Sequence, residues 1–256
     1  MIEIVQLPVL TDNYVYLLHD PCSGATAAVD PAVAEPVLRA LDERGWRLSQ
    51  VLNTHHHSDH VGGNLSLKER TGCEIVGSWH DRGRIPGIDR TVGEGDTVHL
   101  GEASASVLDV PGHTLGHIAY WFAEDHALFC GDTLFALGCG RLFEGSAEDM
   151  WRSLGKLRGL PAATRVYCAH EYTQANARFA VTVEPQNRAL ADRVLHVDQL
   201  RRCGSPTVPS TLGEELATNP FLRADDASLK ARLGMAAAGD VSVFAEIRRR
   251  KDRFRA

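Results

Sequence analysis

Residues 53–63 read NTHHHSDHVGG, with four histidines and an aspartate between positions 55 and 60. The apolar run Gln50-Val51-Leu52 precedes them, and Gly62 and Gly63 follow. An extended segment alternates its side chains, so His55 and His57 share one side while His56 faces the other. Asp59 and His60 fall where the chain must turn into a helix, and the two glycines let backbone pass close to whatever fills the site. A plainer reading makes the histidines polar loop residues, with Ser58 or Asp59 capping the next helix. An expression tag is not a fitting reading, because the run is internal and follows a buried-strand pattern.

Four donors around a zinc ion at about 2.0–2.2 Å do not all come from one hexapeptide, so a metal site needs partners elsewhere in the chain. Three residues stand in the right setting: His113 in LDVPGHTLGH, Asp132 in LFCGDT and His170 in VYCAHEY. Each marks a strand end opening into a loop, where rigid scaffolds carry their site residues. Singly, each has an ordinary explanation as a polar strand-end residue or a turn-capping aspartate. Jointly they favour a metal. His19, His80, His99, His117, His126 and His196 lack such company and read as structural, although His117 lies close to His113. Asp30, at the end of the AVDP strand, fits equally well as a turn residue or as a support for a ligand.

Around these residues, IEIVQL, NYVYLL, ATAAVD, QVLNT, CEIVGS, TVHL, SASVLDV, HIAYWF, HALFCGD and RVYCAH fit strands. Helical spacing appears at 36–46, after Gly63, and at 148–160. The order predicts an α/β fold with two sheets covered by helices. From Thr173 the strand signals vanish, which predicts two regions: 1–172, layered, and 173–256, helical. Pro185 suits the first position of a helix, which places a helix junction at Glu184/Pro185.

The 256 residues carry 27 basic and 33 acidic side chains, a formal charge of −6. Polyanion binding needs a basic field, so neither nucleic acid nor a membrane surface is an expected partner. No run approaches the roughly 18 apolar residues of a membrane span, and the amino terminus has no basic segment leading into an apolar core. The expectation is a cytoplasmic protein. Its six cysteines form no CxxC pair and lie mostly in strand-like runs, so they read as reduced core residues.

Together, HHHSDH at 55–60, PGHTLGH at 111–117, GDTLF at 131–135 and His170 resemble the signature of the metallo-β-lactamase superfamily. That likeness implies an αββα sandwich. CGDTLFALGCGRLFEGSAEDM (130–150), CAHEYT (168–173), NPFLR (219–223) and IRRRKDRF (247–254) further resemble the glyoxalase II, or hydroxyacylglutathione hydrolase, family. The second likeness implies a smaller C-terminal helical domain and hydrolysis of S-D-lactoylglutathione to D-lactate and glutathione, a step of methylglyoxal detoxification. It also implies two divalent metals: His55, His57 and His113 on one, Asp59, His60 and His170 on the other, and Asp132 bridging. Zinc is the first expectation for the ion, with iron and manganese as alternatives. Asp59 and Asp132 take the catalytic positions. Arg141, Phe143, Tyr172, Arg248 and Lys251 map onto glutathione contacts, Phe143 standing where some relatives have tyrosine. The partner is then a small molecule, and a monomer suffices.

The chemistry agrees with that implication. Free water has a pKa of about 15.7 and metal-bound water one of about 7, so a hydroxide between two metals meets a need that no lone histidine meets. Arg248 and Lys251 lie three apart beside the apolar Phe244 and Ile247. By themselves they read as solvated cations favouring a helix C-terminus, and only the family likeness turns them toward a ligand. Competing readings keep the site and change the substrate: another thioesterase, a lactonase, or an iron persulfide dioxygenase. A non-enzymatic reading has the metals only staple the fold, in a closed site.

Overall fold

Short β-rich runs separated by turn residues make the first half of the chain fold as two sheets. The computed structural model describes residues 1–255. Their contacts divide into two units, 1–110 with 115–131, and 111–114 with 132–255.

In the first unit, β1 (Glu3–Val9), β2 (Asn13–His19) and β3 (Ala25–Val29) pair antiparallel. Helix α1 (Ala34–Arg44) then carries the chain to β4 (Arg47–Leu52), which lies parallel to β3. The short α2 (Ser58–Val61) and α3 (Asn64–Thr71) lead to β5 (Glu74–Ser78), and β6 (Arg90–Val92) completes a six-stranded sheet. The remaining strands, β7 (Thr97–Leu100), β8 (Ala103–Asp109), β9 (Ile118–Phe122) and β10 (Ala127–Gly131), form an antiparallel meander.

Helical spacing places Val37, Leu38 and Leu41 of α1 and Leu67 of α3 in one apolar cluster with Val15, Leu17, Ala28, Val51 and Ile75 of the first sheet. Both helices end at a glycine in the left-handed region, Gly45 and Gly72. The two sheets meet face to face: Tyr16 of β2 sits edge-on to Phe129 of β10 at 5.5 Å, and the Tyr120 hydroxyl donates to Asn53 O at 3.0 Å. The parallel pairing of Val29 with Leu52 brings the carboxyl ends of β3 and β4 together, with Asp30 just after β3 and the histidines three residues after β4.

The second unit holds a small hairpin, β11 (Leu134–Phe135) and β12 (Gly138–Cys139), then α4 (Ala147–Arg158), whose start is a reciprocal capping box between Ser146 and Asp149. β13 (Arg165–Cys168) follows, then α5 (Thr173–Val183) and α6 (Arg188–Arg202). β14 (Ser210–Thr211) pairs with β13, and α7 (Leu212–Thr218), α8 (Ala227–Arg232) and α9 (Asp240–Arg253) complete the unit. Phe179, Phe221 and Phe244 stack or meet edge-on in sequence, each pair 6.0 Å apart, and tie α5 and α9 into one aromatic core.

Two local expectations need correction. Pro185 starts no helix: α5 stops at Val183, and α6 starts at Arg188 because the Asn187 side chain accepts from Leu190 N, supplying the cap that proline lacks. Neither Ser58 nor Asp59 caps a helix; the cap position before α2 falls to His57, with no side-chain bond. Cys73, Cys130, Cys139 and Cys168 are buried and outside any disulfide, whereas Cys22 and Cys203 are exposed.

Candidate metal centre

Each histidine of the run has a different partner. His55 and His57 leave β4 on the same side, and Nε2 of His55 lies 3.0 Å from Nδ1 of His57. Two nitrogens on one tetrahedral zinc would be about 3.3 Å apart, so this pair is spaced as two ligands of one ion. His56 faces away, its Nδ1 3.0 Å from Asp81 Oδ2. His60 Nε2 and Asp59 Oδ2 approach to 3.6 Å, a second imidazole–carboxylate pair.

Behind them stands Asp30, at the end of β3 and buried, with a φ of 47°. Its Oδ1 accepts from Thr54 N at 2.7 Å, and its Oδ2 accepts from the Thr54 hydroxyl at 2.6 Å and from Nδ1 of His60 at 3.0 Å. A carboxylate only accepts, so the proton of His60 is on Nδ1 and Nε2 keeps its lone pair. Having given its proton to Asp30, the Thr54 hydroxyl accepts from Nδ1 of His55 at 3.1 Å. That fixes His55 in the same tautomer. Asp30, His55 and His60 bring donor atoms within 4.8 Å of one another, but the Asp30 bonds are spent on setting these protons.

The β10 end has to pass close by. Gly131, at φ +48°, has no room for a side chain: a Cβ there would lie 2.3 Å from Thr54 Oγ1 and 2.9 Å from the His117 ring. His117 itself stacks on His55 with centroids 4.6 Å apart, so it supports the run from one face. Asn13, on β2, donates its amide to Asp59 Oδ2 at 3.1 Å and to Asp59 O at 3.2 Å. Thr54, Asn13 and Asp81 are partners that the sequence did not single out, since single polar residues on strands and loops carry no pattern, whereas His117 stood out only for its closeness to His113.

In the second unit, Gly112 packs its backbone on α4, where a Cβ would meet Met150 Cβ at 2.8 Å. This close seat aims His113, whose Nδ1 donates to Arg141 O at 2.8 Å and whose Nε2 lies 3.4 Å from Asp132 Oδ2. On the other side of the same carboxylate, His170 Nε2 lies 3.4 Å from Asp132 Oδ1. One carboxylate thus addresses two imidazoles, one with each oxygen. His170 stacks flat on Tyr172 at 4.7 Å, and His113 meets Phe143 edge-on at 5.2 Å. In each unit the donor set, imidazole nitrogens with carboxylate oxygens and no thiolate, is one that suits divalent zinc, iron or manganese.

His113 and Asp132 also line a cavity of about 420 Å³, together with Arg141, Phe143, Tyr172, Arg248 and Lys251. The two cations of α9 are not a solvated face. Arg248 is buried, donates to Cys139 O at 2.9 Å and lies over the Phe221 ring at 5.1 Å. Lys251 Nζ donates to Ala175 O at 3.0 Å. Burial, reinforced by the charges of Arg248 and Arg141, holds the Lys251 ammonium down to about 8. Burial pushes the Cys139 thiol on the same wall up to about 11, so it is no nucleophile.

Two family profiles cover this chain: the metallo-beta-lactamase superfamily over residues 16–170, and the hydroxyacylglutathione hydrolase C-terminus over residues 171–254. A hydroxyacylglutathione hydrolase of Methylococcus capsulatus is 71% identical over 255 residues, covering 100% of both chains. The chain belongs to the hydroxyacylglutathione hydrolase, or glyoxalase II, family. The Rhodospirillum rubrum hydroxyacylglutathione hydrolase is 59% identical, covering 99% of each chain. Among solved structures, ETHE1 from Myxococcus xanthus matches with a TM-score of 0.71 at 27% identity, covering 96% of this chain and 90% of that one. TTHA1623 in a di-iron-bound form matches with a TM-score of 0.61 at 26% identity, covering 86% of this chain and 100% of that one. The fold of this glyoxalase II family member is the metallo-β-lactamase α/β fold followed by a C-terminal helical region. No described helix is long and apolar enough to cross a membrane.

Proposed function

We propose that this chain hydrolyses the thioester of S-D-lactoylglutathione and related 2-hydroxyacylglutathiones, releasing the hydroxy acid and glutathione in methylglyoxal detoxification. One observation carries the reading: a single cavity is lined both by His113 and Asp132 and by the cations Arg141, Arg248 and Lys251. Its size suits a small molecule, and its cations suit a ligand with carboxylates.

Two divalent ions belong to this reading, zinc first and iron or manganese as alternatives. On the family pattern, His55, His57 and His113 hold one, Asp59, His60 and His170 hold the other, and Asp132 bridges. When bound, such ions supply ionised water at neutral pH and polarise a carbonyl. The donor pairs described above, with tautomers set through Asp30 and Arg141 O, support the assignment. Asp59, its side chain 38% exposed, is accessible to water and takes the role of orienting the attacking water. Arg248 and Lys251 hold the carboxylates of the peptide, and Tyr172 and Phe143 flank it. Phe143 offers only an apolar surface. The thiolate is a good leaving group and departs without a general acid.

In this reading residues 1–172 form the metallohydrolase domain, which also brings Arg141, Phe143 and Tyr172 to the substrate, residues 173–256 form the helical glutathione-binding domain with Arg248 and Lys251, and the enzyme works as a cytoplasmic monomer. The test is to load the purified protein with zinc, iron or manganese, measure metal per chain, and follow loss of the S-D-lactoylglutathione thioester. Turnover with two ions per chain is expected. A fully loaded protein without turnover refutes the proposal.

A further inference from the structure

Among the three cations of the cavity stands one carboxylate outside the metal-type donors. Asp252 follows Lys251 on α9, one turn after Arg248, and lines the same cavity. Its Oδ1 receives both Nε and Nη2 of Arg248, at 2.9 Å and 2.8 Å. A carboxylate devoted to an arginine closes fork to fork, one oxygen on each nitrogen. Here one oxygen takes both bonds, and Oδ2 has no partner among the described residues. The Asp252 side chain is 46% exposed where Arg248 is 6% exposed. Arg248 does not depend on Asp252 for its place, since it is also held by Cys139 O and by the ring of Phe221.

A γ-glutamyl peptide brings charges of both signs, two carboxylates and one α-ammonium. Arg141, Arg248 and Lys251 suit the carboxylates and repel the ammonium, and their mutual repulsion adds to burial in lowering the proton affinity of Lys251. We propose that Asp252 Oδ2 receives the α-ammonium of the γ-glutamyl residue, so that the site selects peptides with a free amino group. The inference rests on the reading that this cavity takes glutathione thioesters. It makes Asp252 a specificity residue with no part in bond cleavage.

The experiment compares S-D-lactoylglutathione with its N-acetyl derivative on the metal-loaded full chain, as wild type, Asp252→Asn and Asp252→Glu. Wild type is expected to show a KM about tenfold higher for the N-acetyl substrate, the size of one charge-assisted hydrogen bond in a half-exposed site. Asp252→Asn raises KM about tenfold for the parent substrate, leaves the N-acetyl KM within about twofold, and leaves kcat in place. Asp252→Glu keeps part of the discrimination. Equal increases for both substrates would mean that Asp252 acts only by holding Arg248, and would overturn the proposal, as would a wild type that does not discriminate. Calorimetric binding of glutathione against N-acetylglutathione reads the same selection without turnover. Loss of turnover with selective binding therefore refutes the proposed activity alone, and non-selective binding refutes the role of Asp252.

Discussion

Asp30 accepts a hydrogen bond from Nδ1 of His60 at 3.0 Å, with the two side chains 3% and 1% exposed. Through Thr54 the same carboxylate also reaches His55. One buried acid thus sets the ligating nitrogen of two histidines that the family pattern assigns to different ions. Asp30→Asn presents an amide that is free to donate where the carboxylate only accepts, so both rings lose their fixed tautomer. Metal affinity is expected to fall about 10- to 100-fold at both positions, the usual scale for a lost ligand support. Chelator competition measures it. Two ions held as tightly as in wild type would remove Asp30 from the metal centre.

His56 is bonded to Asp81, which also accepts from Nε of Arg84 at 3.1 Å. His56→Ala should therefore retain both metals and cost about 1–2 kcal/mol of stability through a partly buried bond lost. Metal counting and a thermal melt separate the two effects. A variant that loses an ion would overturn the division of the run into outward and inward histidines.

That division was legible from the sequence as a two-residue period, although β4 ends at Leu52 and the chain bends at Thr54 and His55, so that it shows in the partners, His56 on Asp81 and His55 beside His57. The long strands and α1, α3 and α4 were legible for the same reason, through apolar spacing. β6, β11, β12 and β14 were not, since two or three residues hold no period. Nor were the outer partners of the ligands. Asp30 was a turn residue or a support with equal right until its 47° φ and three bonds showed which. Arg248 and Lys251 looked like ordinary helix-end cations, because sequence spacing gives the face of a helix but not what covers it. Asp252 went unnoticed, although its i+4 relation to Arg248 was a readable signal.

Gly131 gives a test of packing around the same centre. A methyl group there meets Thr54 Oγ1 at 2.3 Å and His117 at 2.9 Å, from a backbone at φ +48° that side chains rarely adopt. Gly131→Ala must displace Thr54, and with it the bond to His55. The expected result is a loss of about 2–4 kcal/mol together with weaker metal binding, combining strain with a lost buried hydrogen bond. A melt unchanged from wild type would mean that β10 can shift away without cost.

Lys251 titrates at about 8, against an ordinary value of 10.5. It is charged below about pH 8 and loses its charge above, so its hold on a substrate carboxylate weakens as pH rises through that value. KM is therefore expected to climb above about pH 8, by at most tenfold per unit, with a smaller change in kcat. Lys251→Arg should flatten the rise, because a guanidinium stays charged, and Lys251→Ala should raise KM at neutral pH and abolish the rise. Stability follows with its own sign. Between about 8 and 10.5 the unfolded chain binds this proton and the folded one does not, so the Lys251 contribution to stability grows with pH across that window. Measuring KM and melting temperature from pH 6.5 to 9.5 checks both. A KM profile that Lys251→Arg leaves unchanged would show that another group titrates in the cavity and that Lys251 does not meet the substrate.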